Sequence, residues 1–206
     1  MTAVLAVFFD VGETLVDEEP YWRAVAAAAG QPPHVVWAAL GTTIARGEEH
    51  WELWRHLGVD RPAAANEVSY SPDDLYPDAL DCLERVRSSG MLVGIAGNQS
   101  ASMERWAHES LPADIVVSSA SLGVRKPDPA FFERLVGLAG VAPGELAYVG
   151  DRADNDAGPA LEAGLVAFHL RRGPWGRLQE TPDGAVPIDA LADLPTLLRG
   201  ASVVGA

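Results

Sequence analysis

Asp10 closes an apolar run and opens a tight turn, Phe9-Asp10-Val11-Gly12-Glu13-Thr14-Leu15. Asp151 does the same in Val149-Gly150-Asp151-Arg152-Ala153-Asp154-Asn155-Asp156. Two carboxylates at neighbouring strand ends would suit one hard divalent cation, which prefers oxygen ligands. Asp151, Asp154 and Asp156 place three like charges within six residues, a repulsion that a bound cation relieves. Asp151 stands ahead of the next helical pattern and is the better ligand candidate. Asp156 reads as supporting the ligands from behind or through a water, and Asp154 and Asp156 also suit that helix's dipole. Lys126 sits in Gly123-Val124-Arg125-Lys126-Pro127-Asp128-Pro129. There Pro127 and Pro129 restrict the backbone and Asp128 can cap a helix starting at Pro129. An ammonium fixed in this way is a point charge for a phosphoryl oxygen. With Asn98 after another apolar run, the set points to phosphoryl chemistry.

Such a set needs strand ends to hold it. Short, β-branched-rich apolar runs recur at Val4–Phe9, Met91–Ala96, Ile115–Val117, Leu146–Val149 and Leu165–Leu170. Near-continuous hydrophobicity suits strands buried on both faces. Helical patterns separate them at Pro77–Ser88, Ala101–Glu109, Pro129–Leu138 and Asp156–Ala163, with a last one at Ile188–Leu198. The alternation predicts an α/β fold with a parallel sheet, whose ligands collect beyond the carboxyl ends of the strands. Asp10, Gly97-Asn98, Ser118-Ser119 and Asp151 all follow directly from these runs.

Between about Val16 and Ser71 no strand is predicted. Three helical patterns occupy the segment, from the low twenties to Ala29, from His34 to Ala45 and from Glu48 to Leu57. A usual βα connection has about 2–6 residues, so this insertion reads as a helical subdomain over the strand ends. Four of the six tryptophans lie in it, and Trp51 and Trp54, one helical turn apart, are expected to pack.

The net charge of −14 and pI near 4.6 argue against a nucleic-acid surface, which needs clustered cations. A small anionic substrate stays compatible, because a cation and a local lysine reverse the field within a site. No run approaches the roughly 20 apolar residues of a membrane span, and the apolar start lacks a basic flank and stops at Asp10. Cys82, the only cysteine, excludes an intrachain disulfide and reads as a small buried hydrophobe. A reducing cytoplasm is expected, and the oligomeric state is left open. The five histidines show no ligand spacing and receive no role.

The order Asp-x-Gly-x-Thr, Gly-Asn, Arg-Lys-Pro-Asp-Pro and Gly-Asp-x-x-x-x-Asp resembles the haloacid dehalogenase-like (HAD) hydrolase superfamily over nearly the whole chain. The resemblance implies a Rossmann-like core over residues 1–15 and 72–206 and an inserted C1-type helical cap over 16–71. It implies that Asp10 is a nucleophile forming an aspartyl-phosphate. Mg²⁺ would be held by Asp10, Asp151 and the Gly12 backbone carbonyl, with Asp156 as the second acid of its motif. Lys126 would neutralise nucleophile and phosphoryl charge, and Gly97 and Asn98 would cradle the phosphate of a small phosphorylated substrate.

Two positions depart from the family pattern. Family phosphatases usually carry an Asp, the general acid, where this chain has Gly12, and a Ser or Thr where it has Gly97. General acid–base catalysis contributes about 10²–10⁴-fold, so good leaving groups would suffer least. Glu13, Asp17, Glu18 and Glu19 are the nearby carboxyls that could serve instead, and Gly12→Asp is expected to raise alkyl phosphate turnover. A binding or regulatory protein on an impaired scaffold is the alternative. A metal-free dehalogenase fits less well because of the acidic cluster at Asp151–Asp156. A phosphonatase-like role fits less well because residues 16–71 contain no lysine. Arg171–Gly176 is expected to form a surface turn with a packed tryptophan, on the same side as the site.

Overall fold

The computed structural model describes residues 3–66 and 69–203, so the outer residues of the expected core and two residues of the expected cap lie outside it. The strands are β1 (Ala6–Phe9), β2 (Leu92–Gly97), β3 (Ile115–Ser118), β4 (Leu146–Gly150), β5 (Val166–Leu170) and β6 (Val186–Ile188). They form one sheet in the order β3-β2-β1-β4-β5-β6, with every pairing parallel. The fold is α/β and Rossmann-like, as expected.

Alternation along each strand explains the unbroken apolar runs. In β1, Ala6 and Phe8 face one core with Leu146 and Tyr148 of β4, while Val7 and Phe9 face the other with Ala147 and Val149. Both faces are therefore covered, which removes the polar half of the usual strand pattern. The helices are α1 (Glu19–Ala28), α2 (Pro33–Ala45), α3 (Leu53–Leu57), α4 (Ala79–Ser88), α5 (Ala101–Ser110), α6 (Ser119–Leu122), α7 (Pro129–Ala139), α8 (Gly158–Glu162), α9 (Gly173–Leu178) and α10 (Leu194–Val203). Helices α4, α5 and α10 supply one core, with Cys82 among its buried residues, and α7 and α8 supply the other. No helix among the described residues is long and apolar enough to cross a membrane.

The differences from the sequence-based reading have local causes. Edge strand β6 was not expected because it is three residues long and contains Pro187, which is tolerated only where a ladder donor can be spared. Ile188 thus belongs to a strand, and the last helix begins at Leu194 with Pro195 in its first turn. Asp156 lies in a π-helical turn, Ala153–Ala157, and α8 starts only at Gly158 with Pro159 in its first turn.

Helices α1–α3 gather a third apolar cluster around Trp22, Val36, Leu40, Leu53 and Trp54, which Trp175 of α9 joins. The chain leaves the sheet and returns along paired segments. Val16 bridges Leu75, Asp17 N–H donates to the Asp74 carbonyl (2.8 Å), and Tyr76 N–H donates to the Leu15 carbonyl (2.9 Å). Trp54 packs as expected, but Trp51 lines the pocket described below. The stretch 50–57 is a 3-10 turn followed by α3, which splits the two indoles between different jobs.

Candidate active site

Strands β1 and β4 are neighbours in register, with Phe9 opposite Val149. Their next residues therefore emerge at one end of the sheet, and Asp10 N–H bonds the Val149 carbonyl at 2.9 Å. This is the switch point of the strand order, where β1 connects outward to β2 on one side and β4 continues on the other. Ligand atoms of Asp10, Asp151 and Asp156 lie within 4.8 Å of one another.

Lys126, the chain's only lysine, reaches this cluster with its side chain 1% exposed. Its Nζ lies 2.8 Å from Asp10 Oδ1 and also bonds Asp156 Oδ1. Asn98 fixes the lysine's backbone in both directions: Lys126 N–H donates to Oδ1 (2.8 Å), and Asn98 Nδ2 donates to the Lys126 carbonyl (2.9 Å). The ring of Tyr148 lies below the ammonium, 5.4 Å from Nζ to the ring centre, and the Tyr148 hydroxyl is tied to the Ala96 carbonyl. Asp128 caps α7 by accepting from Ala130 N–H at 2.9 Å, which sets the far end of the lysine turn.

The electrostatics follow from burial. Loss of water pushes the Asp10 carboxyl up to about 6 against the pull of Lys126. Burial, then Asp156 and Asp10, hold Asp151 well above the usual carboxylate range. Burial also opposes charge on Lys126, but Asp10 and Asp156 outweigh it and keep the ammonium well above its ordinary value. Asp156 has both oxygens engaged, Oδ1 by Lys126 and Oδ2 by the Arg152 N–H at 3.0 Å. Asp151 differs: its Oδ2 is buried with no hydrogen-bond partner among the described residues. A cation would complete this oxygen and relieve the crowded charges, so the donor set fits a hard divalent ion. His169, neutral through burial, holds the Asp151 backbone by donating Nε2–H to its carbonyl at 3.0 Å and accepting the Thr181 hydroxyl at Nδ1. Asp154 is drawn instead into a bidentate pair with Arg152.

The cluster floors a cavity of about 430 Å³ between the sheet end and α1, the 3-10 turn that carries His50 and Trp51, and the segment from Arg61 to Tyr70. Its walls include His50, Arg61, Arg125, Arg152 and Trp175. Burial pushes the His50 imidazole down to about 4, helped by the guanidinium groups of Arg152, Arg61 and Arg125. The cavity of this acidic protein thus has a cationic wall.

Several sequence expectations need correction. The Thr14 Oγ1 is buried without a hydrogen-bond partner among the described residues. Trp175 packs as expected, against the helical cluster, but residues from Gly173 form α9 rather than a surface turn. Arg172 neither enters the cavity nor lies free. It stacks 4.1 Å from the Tyr76 ring centre and bonds the Thr14 carbonyl and Asp78, clamping the first turn to the returning segment. His50, given no role from sequence, lines the cavity. A side chain at position 97 would place its Cβ 2.6 Å from Asp10 Oδ1, so Gly97 leaves room for the carboxylate.

The carboxyls around Gly12 separate clearly. Asp17 caps α1 through Glu19 N–H at 2.9 Å, and Glu19 pairs with Arg23 on the exposed surface. Glu13, at a positive φ of 51°, accepts from the Tyr76 hydroxyl at 2.6 Å. Burial, reinforced by Glu18, pushes it up to about 8. Glu18 turns inward, lines the cavity and accepts from the Tyr70 hydroxyl. Loss of water pushes its carboxyl up, opposed by Tyr70 and reinforced by Asp10.

Residues 4–164 match the family model described as haloacid dehalogenase-like hydrolase. The chain belongs to this family. A glyceraldehyde 3-phosphate phosphatase of Methanopyrus kandleri is 29% identical to this haloacid dehalogenase-like hydrolase, over 95% of this chain and 97% of that protein. A phosphoglycolate phosphatase of Rhodospirillum rubrum is 30% identical over 68% of this chain and 63% of its own. In fold, the L-2-haloacid dehalogenase of Xanthobacter autotrophicus is similar with a TM-score of 0.67, at 22% identity, over 96% of this chain and 99% of that one.

Proposed function

We propose that this chain is a Mg²⁺-dependent cytoplasmic phosphatase of small phosphorylated metabolites, working through an aspartyl-phosphate on Asp10. The observation that carries this reading is the convergence of Asp10, Asp151, Asp156 and the buried Lys126 on the floor of one cavity. Asp10 would attack phosphorus in line, and water would then release phosphate from the aspartyl group. Lys126 holds a positive charge against the nucleophile and the phosphoryl oxygens. Asp10, Asp151 and the Gly12 carbonyl would hold the ion, with Asp156 steadying Lys126 and the Arg152 turn behind them. Bound there, it would neutralise further charge on the transferring group. Backbone groups at Gly97 and Asn98 would cradle the phosphate.

Residues 16–71 act in this reading as a cap that excludes bulk water from the core of 1–15 and 72–206. The cationic wall favours an anionic substrate, and the two relatives above are named for small phosphate esters. A metal-free dehalogenase would leave the orphaned Asp151 oxygen without a purpose.

The test is phosphate release from p-nitrophenyl phosphate and a panel of small phosphorylated metabolites, with and without Mg²⁺. Turnover that needs the ion is expected, and no turnover on any ester would overturn the reading. Mg²⁺ at about 100 times its dissociation constant should also stabilise the fold by about 2.7 kcal/mol, read as a thermal shift. Asp151→Asn should remove most of that shift; a shift of the same size in the variant would place the ion elsewhere.

A further inference from the structure

We infer that Glu18 is the acid–base residue of this site, standing in from the helical insertion for the side chain that Gly12 lacks. The inference rests on the phosphatase reading above. It is carried by space. A Cβ built on Gly12 would fall inside the van der Waals envelope of Glu18 Oε1 and 2.8 Å from Cδ. The Glu18 carboxyl therefore occupies the volume into which a residue at position 12 would project. It shares the cavity with Asp10.

Two neighbours shape it. The Tyr70 hydroxyl, 52 positions along the chain, donates to Oε1 and fixes the carboxyl plane. The Trp22 indole N–H stands beside the same carboxyl, buried and, among the described residues, without a hydrogen-bond partner of normal geometry. The other nearby carboxyls are engaged elsewhere: Asp17 in the α1 cap, Glu19 with Arg23 and Glu13 with Tyr76.

The step balances within the site. An Asp10 oxygen forms a bond to phosphorus while the bond from phosphorus to the ester oxygen breaks. The bonding pair stays on the leaving oxygen, which takes the Glu18 carboxyl proton. Glu18 then accepts a proton from the water that attacks the aspartyl-phosphate. Phosphate leaves, Asp10 recovers its carboxylate and Glu18 recovers its proton.

Pre-steady-state kinetics of Glu18→Gln test this, because the amide keeps the Tyr70 acceptor but holds no transferable proton. With p-nitrophenyl phosphate, whose leaving group needs no proton, the variant should give a burst of nitrophenolate approaching one equivalent, then turnover slowed about 10²–10⁴-fold. With an alkyl phosphate no burst is expected, and turnover should fall by at least as much. Equal slowing of both phosphorylation steps without a burst, or unchanged kinetics, would overturn the assignment. An inactive wild-type enzyme would instead remove the phosphatase reading and this inference with it.

A second pair of variants guards against a folding artefact. Gly12→Asp alone should bring no gain in alkyl phosphate turnover, because Glu18 already occupies the volume the new carboxyl would use. Gly12→Asp combined with Glu18→Ala should regain at least ten-fold over Glu18→Ala alone, roughly the lower end of an acid's contribution. Gain from Gly12→Asp alone, or no rescue in the double variant, would count against Glu18. The sequence alone predicts a rise for Gly12→Asp, and the occupied volume removes the reason for it.

Discussion

Asp10→Asn should abolish phosphate release, lowering kcat by on the order of 10⁴-fold or more, as loss of a nucleophile does. The amide has nearly the same shape but its oxygen cannot form the acyl phosphate. What makes the prediction sharp is that stability should not fall with activity. Burial already pushes the Asp10 carboxyl up to about 6, so its negative charge is held at a cost. The amide oxygen can still accept from Lys126, and the Lys126–Asp156 pair remains. A melting temperature within a few degrees of wild type, with turnover gone, is the expected pair of results. Phosphorylated protein trapped from wild type under acid quench, and absent in the variant, gives the chemical counterpart. More than about 1% residual turnover would remove Asp10 as nucleophile, a hundred-fold loss being too small for such a role.

The layout of this site was legible where it depends on short-range patterning. Runs such as Val7-Phe8-Phe9 announce strands covered on both faces, and a carboxylate after each of two such runs marks one end of the sheet. Lys126 was legible through the prolines that stiffen its turn. Glu18 was legible only as one of several neighbouring acids. Choosing among them needs the path of the chain after Val16, which directs Asp17 to a helix cap, Glu19 to solvent and Glu18 under Tyr70. Trp51 and Trp54 share a helical spacing, yet the backbone changes from a 3-10 to an α turn between them, and only Trp54 is buried. Trp175 reaches the helical cluster from α9, a contact between distant segments that periodicity does not encode. Strand β6 escaped because pairing with β5 and burial of Ile188, rather than propensity, make a strand of Val-Pro-Ile.

Lys126→Met should damage both fold and chemistry, in contrast to Asp10→Asn. Methionine fills a similar volume but leaves Asp10 and Asp156 facing each other beside Asp151 with no cation between them. Removing one partner of a buried ion pair costs about 3–5 kcal/mol. In a domain of this size that lowers the melting temperature by on the order of 10 °C. Turnover should fall by about 10²–10³-fold from lost charge stabilisation alone. Arginine should not rescue it, because a planar fork of donors cannot fit where a compact ammonium sits over the Tyr148 ring. Because Asp10 would hold the divalent ion together with Asp151, Mg²⁺ should shift the melting temperature of Lys126→Met more than that of wild type. The ion would then neutralise charge that the lysine no longer meets. An equal or smaller shift in the variant would mean that the lysine and the ion act on separate groups, contrary to the arrangement in which Asp10 belongs to both.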